Sequence, residues 1–230
     1  MTTSIIIPTL NEATGIGRLI SFLFKHSHDH VKEIIVADAG SQDDTILIAE
    51  KAGAKIVRSP KKGRAAQMNN GAGFATGDVL YFIHADSFPP ASYAKDIQAA
   101  TGEGYSSGRY RTKFNSPKFI LKINAFFTRF DWFICYGGDQ TFFITRDLFE
   151  QIGGFNDSML IMEDYEIVSR TKQAGRYKIF SKSAMVSARK YDTNSWLNVQ
   201  LANRKIVKMY LQGASQDEMV RKYKELLVYR

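Results

Sequence analysis

Four short apolar runs, each stopping at polar or charged residues, constrain this chain more than any other feature. They are "SIIIP" (Ser4–Pro8), "EIIVAD" (Glu33–Asp38), "KIVRS" (Lys55–Ser59) and "DVLYFI" (Asp78–Ile83). Rich in β-branched residues and too short for helices, they read as strands buried on both faces. Helix-like segments over Leu10–His26, Asp43–Ala52 and Gly63–Gly77 separate them. That alternation implies right-handed crossovers and a parallel sheet covered on both sides. Ligands of such a sheet bind beyond the carboxyl ends of the strands, where strand order reverses. The fourth run continues as "HADS", so a core strand delivers His84 and Asp86 to that edge.

The second half is less regular. "SGRYRTKF" (Ser107–Phe114) alternates like a half-exposed strand, and "QTFFITRDLFEQIGGF" reads as strand, short helix and a Gly153–Gly154 stop. "MEDYEIVSRTKQAG" (Met162–Gly175) is a helix with acids at its start. "YKIF" and "MVSARKY" read as two further strands, and from Trp196 the pattern is helical with a break near Gly213–Ser215. The expected organisation is α/β: an open, mostly parallel sheet with helices on both faces over residues 1–194, and a helical C-terminal extension of the same domain over 195–230.

The 230 residues are 44% hydrophobic and 23% charged, enough for a substantial core and unlike a disordered chain. A net charge of +8 favours anionic partners: phosphate-bearing ligands, nucleic acid or an acidic membrane. Cys135 is the single cysteine, which excludes an internal disulfide and a thiolate zinc site and fits a reducing, cytoplasmic setting. "MTTSIIIPTLNEA" lacks the basic leader of a signal peptide. Phe119–Tyr136 is interrupted by Lys122, Arg129 and Asp131, so it does not read as a membrane span. Its Phe119, Ile123, Phe126, Phe127, Phe130, Phe133 and Ile134 form a helical stripe. That stripe is expected to pack on the body of the protein, with a membrane-surface or partner-facing helix as the minority alternative.

Glu12, Asp38 and Asp86 stand at three strand ends and are expected around one crevice, where their repulsion calls for a cation or a hydrogen-bonding ligand. Asp43 and Asp44 read as turn formers or caps, and Ser41 as the cap of the second helix. Asp38 lies upstream of that cap and Asp86 on a fixed strand end, which frees both to bind a ligand. His84 alone is as readily a hydrogen-bonded core histidine. "PTLNEATG" has no G-x-G-x-x-G and "SPKKGRAAQ" is no Walker A loop, so a phosphate-bearing ligand must be held by cations. The candidates are a metal on Asp86 with Lys62 and Arg64, although "KKGR" runs are more commonly solvated loops. Glu163 and Asp164 in "MEDYE" complement a helix dipole; the functional alternative is a general base on a rigid helix start.

In their order, "SIIIPTLNEA", "IIVADAGSQDDT", "KGRAAQMNNGAGFATGDVLYFIHADS", "GGDQTFFITRDLFEQIGGF" and "MEDYEIVSRTKQAG" resemble the family-2 glycosyltransferases of the GT-A fold, over about Thr3 to Tyr191. The "HAD" and "GGDQ" variants look most like a small soluble bacterial subgroup associated with radical-SAM and selenodomain gene clusters. The resemblance implies that Pro8, Thr9, Asn11 and Glu12 form the first nucleotide-binding motif, that Asp38 hydrogen-bonds the base and that Arg64 lies near the donor. "HAD" aligns with D-x-D, whose last aspartate, here Asp86, binds Mg²⁺ or Mn²⁺ on the donor diphosphate. His84 replaces the first aspartate; as a ligand it favours Mn²⁺, and otherwise it contacts ribose or phosphate. Asp164 aligns with the catalytic base, and Asp139, Gln140 and Glu163 fall on the acceptor side beside a Gly137–Gly138 hinge.

The implied reaction is inverting transfer from a nucleoside-diphosphate sugar, by default a UDP-sugar, to an acceptor hydroxyl, without nucleic acid as partner. Arg189, Lys190, Arg204 and Lys205 are expected mainly to shield the sheet, with closure over the site as the alternative. A nucleotidyltransferase would need a glycine-rich basic loop after the first strand, which "PTLNEATG" is not. A non-catalytic nucleotide or nucleic-acid module would fit the charge, but the basic residues are dispersed and no aromatic RNA-binding signature is present.

Overall fold

The computed structural model describes residues 1–137 and 140–228. Strand β1 (Thr3–Thr9) is buried at every position, with Ile5, Ile6 and Ile7 at 0% exposure. It therefore has neighbours on both edges, β2 (Val31–Asp38) and β4 (Val79–Phe82), both parallel to it, and β3 (Lys55–Arg58) extends the sheet beyond β2. Helices α1 (Ala13–Lys25), α2 (Thr45–Lys51) and α3 (Arg64–Gly73) form the crossovers. On one face Ile16, Leu19, Ile20 and Leu23 of α1 pack with Ile5, Ile7 and Val36. On the other Ala65, Met68 and Ala72 of α3 pack with Ile6 and Ile35. Covering on both faces explains why these strands are apolar throughout. This half follows the sequence reading, with α3 ending earlier than expected.

The other half mixes directions. Strand β7 (Phe142–Thr145) runs antiparallel to β4, and β6 (Ser107–Phe114) antiparallel to β7 and parallel to β8 (Tyr177–Val186). A two-residue strand β5 (Ser87–Phe88) pairs with the outer edge of β8. The strand order is β3-β2-β1-β4-β7-β6-β8-β5. Helices α4 (Tyr93–Gly102), α6 (Arg146–Gln151) and α7 (Glu163–Ala174) complete the layers, and α6 stops at Gly153 and Gly154, both at positive φ. "YKIF" and "MVSARKY" are one strand, not two. Its register slips where Tyr110 faces Phe180 but Arg111 faces Ser183, so the polar Ser181–Lys182 pair is a bulge rather than a break. "ARKY" leaves the sheet for a short helix α8 (Lys190–Thr193).

The aromatic stripe also departs from expectation. Helix α5 (Phe119–Phe127) buries only Leu121, and a separate 3₁₀ turn covers Phe133–Cys135. The helix stops because Arg109 on β6, 1% exposed, donates to the carbonyls of Thr128 at 2.8 Å and Phe130 at 3.2 Å. Those acceptors then serve a buried cation instead of a further helical turn. The last carbonyls of a helix favour positive charge, which suits a guanidinium at this point. Helices α9 (Trp196–Leu211) and α10 (Gln216–Leu226) pack from the C-terminal side. Val199 and Ala202 meet Leu121, while Ile206 and Met219 meet Met159 and Met162. Among the described residues no helix is long and apolar enough to cross a membrane.

Replacing Arg109 with Met leaves buried carbonyls without their charged donor. The expected cost is about 2–4 kcal/mol of unfolding free energy, measured by denaturant titration, with faster proteolysis after α5.

Candidate active site

Strands β1 and β2 end in register, Thr9 opposite Asp38, so their loops leave the sheet together. Asp38 is 1% exposed and carries four hydrogen bonds. Its Oδ1 accepts from the backbone N–H of Gly40 and Ser41, both at 2.8 Å, and its Oδ2 from the hydroxyls of Thr9 and Ser41. Ser41 is thus not the cap expected of it. Helix α2 begins later, at Thr45, with Asp44 at the N-cap position making no side-chain bond to the helix. Asp43 is a turn former, accepting from the N–H of Ala13 at 3.2 Å and of Thr45 at 3.1 Å. Asn11 has a left-handed backbone (φ 57), which asparagine tolerates, and its Oδ1 takes the N–H of Gln42 at 2.8 Å. Pro8 and Thr9 are buried at the end of β1. The loops after β1 and β2 are therefore one hydrogen-bonded unit.

Glu12 and Asp86 meet at a single cation. Nη2 of Arg189 lies 2.9 Å from Asp86 Oδ2 and 3.1 and 3.3 Å from the two Glu12 oxygens. The antiparallel pairing of β5 with β8 brings it there: Ser87 lies opposite Val186, so Asp86, just before β5, neighbours the residues that follow β8. Burial opposes the charged guanidinium, yet hydrogen bonds to Asp86 and Glu12 prevail and hold its pKa above the ordinary arginine value. The side chain is still 58% exposed, so water screens both pairs and each stabilises the fold by about 0–1 kcal/mol at most. Position, not stability, is what this contact contributes. Arg189 closes on the strand ends rather than shielding the sheet, and Lys190 turns away toward the Tyr223 hydroxyl. Among the described residues no three His, Cys, Asp or Glu gather in one place. Two carboxylates already sharing one positive group are nonetheless hard ligands of the type that suits Mg²⁺ or Mn²⁺, with phosphate and water completing the shell. His84, 9% exposed, follows β4 on the same edge, and its carbonyl accepts the Ser87 N–H.

Across the edge, Glu163 and Asp164 open α7. The residue before them, Met162, has φ 70, a left-handed conformation uncommon for a long side chain. Packing among Met159, Ile206 and Met219 holds it there. Strain of this kind collects at functional sites. Glu163, 5% exposed, faces Arg64 Nη1 at 3.7 Å, which links the start of α3 to the start of α7. Asp164 lines a small cavity with Arg109, Tyr136, Gln140 and Tyr177. Gln140 donates from Nε2 to the carbonyls of Cys135 at 2.5 Å and Gly137 at 3.3 Å. Asp139 and Gly138 lie outside the described residues. Gly137 answers a close approach: a Cβ there would stand 1.7 Å from the Tyr165 ring. Burial pushes the Tyr165 phenol pKa up, so the ring stays neutral beside Asp164.

The fold is an α/β sheet with its polar residues gathered at the carboxyl edge, and comparison with known proteins makes the class definite. The model of glycosyl transferase family 2 matches residues 4–156, and the chain belongs to that family, with the GT-A sheet. A stretch of 97 residues is 31% identical to glucosyl-3-phosphoglycerate synthase of Mycolicibacterium smegmatis, covering 39% of this chain and 32% of that protein. The chain thus spans about a third of the length of that curated relative. Among solved structures, S. aureus TarS 1-349 in complex with UDP-GlcNAc superposes with a TM-score of 0.69 at 18% identity, over 82% of this chain and 59% of that one. Glucosyl-3-phosphoglycerate synthase from Mycobacterium tuberculosis, in complex with Mn²⁺, UDP and glucosyl-3-phosphoglycerate, superposes with a TM-score of 0.62 at 18% identity, over 92% and 79% of the two chains.

Gly137→Ala should push the Tyr165 ring aside and disturb the start of α7. Overpacking of this kind costs about 1–3 kcal/mol, read as a lowered thermal midpoint.

Proposed function

We propose that this chain is an inverting glycosyltransferase, moving a sugar from a nucleoside-diphosphate sugar, UDP-linked in the first instance, to an acceptor hydroxyl. The convergence of Glu12 and Asp86 on one cation at the carboxyl edge of the sheet carries the reading. An edge that gathers carboxylates around positive charge suits a metal–diphosphate pair. A neighbour of the same fold in complex with UDP and Mn²⁺ supports that choice.

Pro8, Thr9, Asn11 and Glu12 line the nucleotide side, and Asp38 fixes the two loops that hold the base. Asp86, with His84 as second ligand, would hold Mn²⁺ or Mg²⁺, which when bound offsets the charge of the diphosphate. Mn²⁺ suits the imidazole better. Arg64 and Arg189 would face the same phosphates, and Arg189, 2.9 Å from Asp86, would have to release that carboxylate for it to hold a metal. Asp164, on a helix start held rigid by the strained Met162, takes the proton of the acceptor hydroxyl as its oxygen attacks the anomeric carbon. The new carbon–oxygen bond forms as the bond to the diphosphate breaks; the electron pair leaves with the diphosphate, and the configuration inverts. Asp139, Gln140 and Glu163 shape the acceptor side. Residues 1–194 carry this chemistry in a cytoplasmic setting, and from the helical extension over 195–230 Ile206 of α9 and Met219 of α10 brace Met162 from outside. The "HAD" and "GGDQ" motifs support the bacterial subgroup associated with radical-SAM and selenodomain genes.

Calorimetric titration with UDP, GDP, CDP and dTDP, with and without Mn²⁺, tests the donor site. One diphosphate should bind in a metal-dependent way, and Asp86→Ala should weaken it roughly tenfold or more; absence of binding by all four overturns the reading. Once a donor is found, Asp164→Asn should lower transfer about 10²–10⁴-fold while leaving diphosphate affinity unchanged.

A further inference from the structure

The segment between β6 and β7 presents its apolar side to water. Phe119 is 72% exposed, Ile134 61%, Trp132 52%, Phe126 46%, Phe127 43% and Ile123 39%. The rings of Phe126, Phe127, Phe130 and Trp132 form one cluster, with neighbouring centroids 4.6–6.3 Å apart. Single exposed apolar residues are ordinary; a contiguous aromatic patch marks an interaction site. The patch is also firmly mounted. Arg109 grips the carbonyls of Thr128 and Phe130 from below, and Leu121 is anchored in the cluster with Val199 and Leu227.

Its charge selects the partner. Between Glu103 and Asp131 the sequence has no acid and carries Arg109, Arg111, Lys113, Lys118, Lys122 and Arg129. Arg109 is interior, but Lys122 and Arg129 are exposed, and the Arg129 guanidinium lies 3.8 Å from the Phe126 ring centroid. Asp131, the first acid, is tied to Lys172 at 2.6 Å. An apolar face rimmed by cations, with a tryptophan at its margin, matches the boundary between headgroups and acyl chains of an anionic bilayer. A second copy is a poor occupant, since a two-fold contact would set one positive patch against another.

We propose that α5 and the chain through Ile134 dock in the plane of an anionic membrane surface. The inner side of this segment meets the candidate site: the Phe133 ring lies 5.2 Å from that of Tyr165, the residue after Asp164. Docking therefore turns the acceptor side toward the bilayer, and, resting on the transfer reading, the acceptor hydroxyl is borne by a lipid.

Co-sedimentation of the whole chain with vesicles tests the docking without any donor. Binding is expected to phosphatidylcholine vesicles containing phosphatidylglycerol, and roughly tenfold weaker to phosphatidylcholine alone. Phe119→Ser with Trp132→Ser, and separately Lys122→Glu with Arg129→Glu, should each weaken it about tenfold with the thermal midpoint unchanged. In a Trp196→Phe background Trp132 is the only tryptophan, and its emission should shift to the blue on anionic vesicles. Failure of the wild-type chain to bind anionic vesicles overturns the docking, as does full binding by either double variant. Self-association that the Ser variants abolish also overturns it, in favour of a second copy. Nucleotide titration of the same samples, needing no vesicle, reads the transfer proposal separately.

Discussion

Pairing of β1 on both edges, with helices over both faces, leaves that strand no room for a polar side chain among Ile5, Ile6 and Ile7. An unpaired polar group there would cost several kcal/mol. All chemistry is therefore displaced to the ends of the central strands. Once there it is held by hydrogen bonds between loops: Asp38 collects donors from two of them, Asn11 joins Gln42, and Glu12 and Asp86 share Arg189. The rigid sheet and the polar rim are two consequences of one burial requirement.

How much of this could be read from residues alone follows the range of each interaction. The strands of the first half are local: "SIIIP" and "VLYFI" show their burial in their own composition, and "MEDYE" shows a helix start in five residues. The departures all come from distant partners. Ser41 offers a good cap pattern, but a carboxylate three residues back competes for its hydroxyl. "FSKSA" looks like a gap between strands because a bulge against β6 is invisible without β6. The aromatic stripe has helical spacing, yet Arg109, many residues earlier, ends the helix and leaves its face to solvent. Arg189 carries no local sign of its place, which is set by the pairing of β5 with β8.

The two arginines also reverse what composition suggests. A net charge of +8 spread over the chain looks like surface solvation, but two of its cations have specific posts. Arg109 is almost wholly buried and works on carbonyl dipoles; Arg189 is more than half exposed and works on carboxylates. The first shapes a surface from beneath, and the second counterbalances acids that would otherwise repel each other.

The sheet order has a consequence for synthesis. Strands β1 to β4 form a contiguous half, and Glu12, Asp38, His84 and Asp86 all belong to it or follow directly from it. Arg189 is 103 residues later than Asp86. At translation rates of about 5–20 residues per second, roughly 5–20 s separate the emergence of the two. During that interval a nascent chain holds the carboxylates without the guanidinium that joins them, and the pocket is open on that side. The contact between the two halves is thus completed only after β8, the last strand in the chain, has left the ribosome.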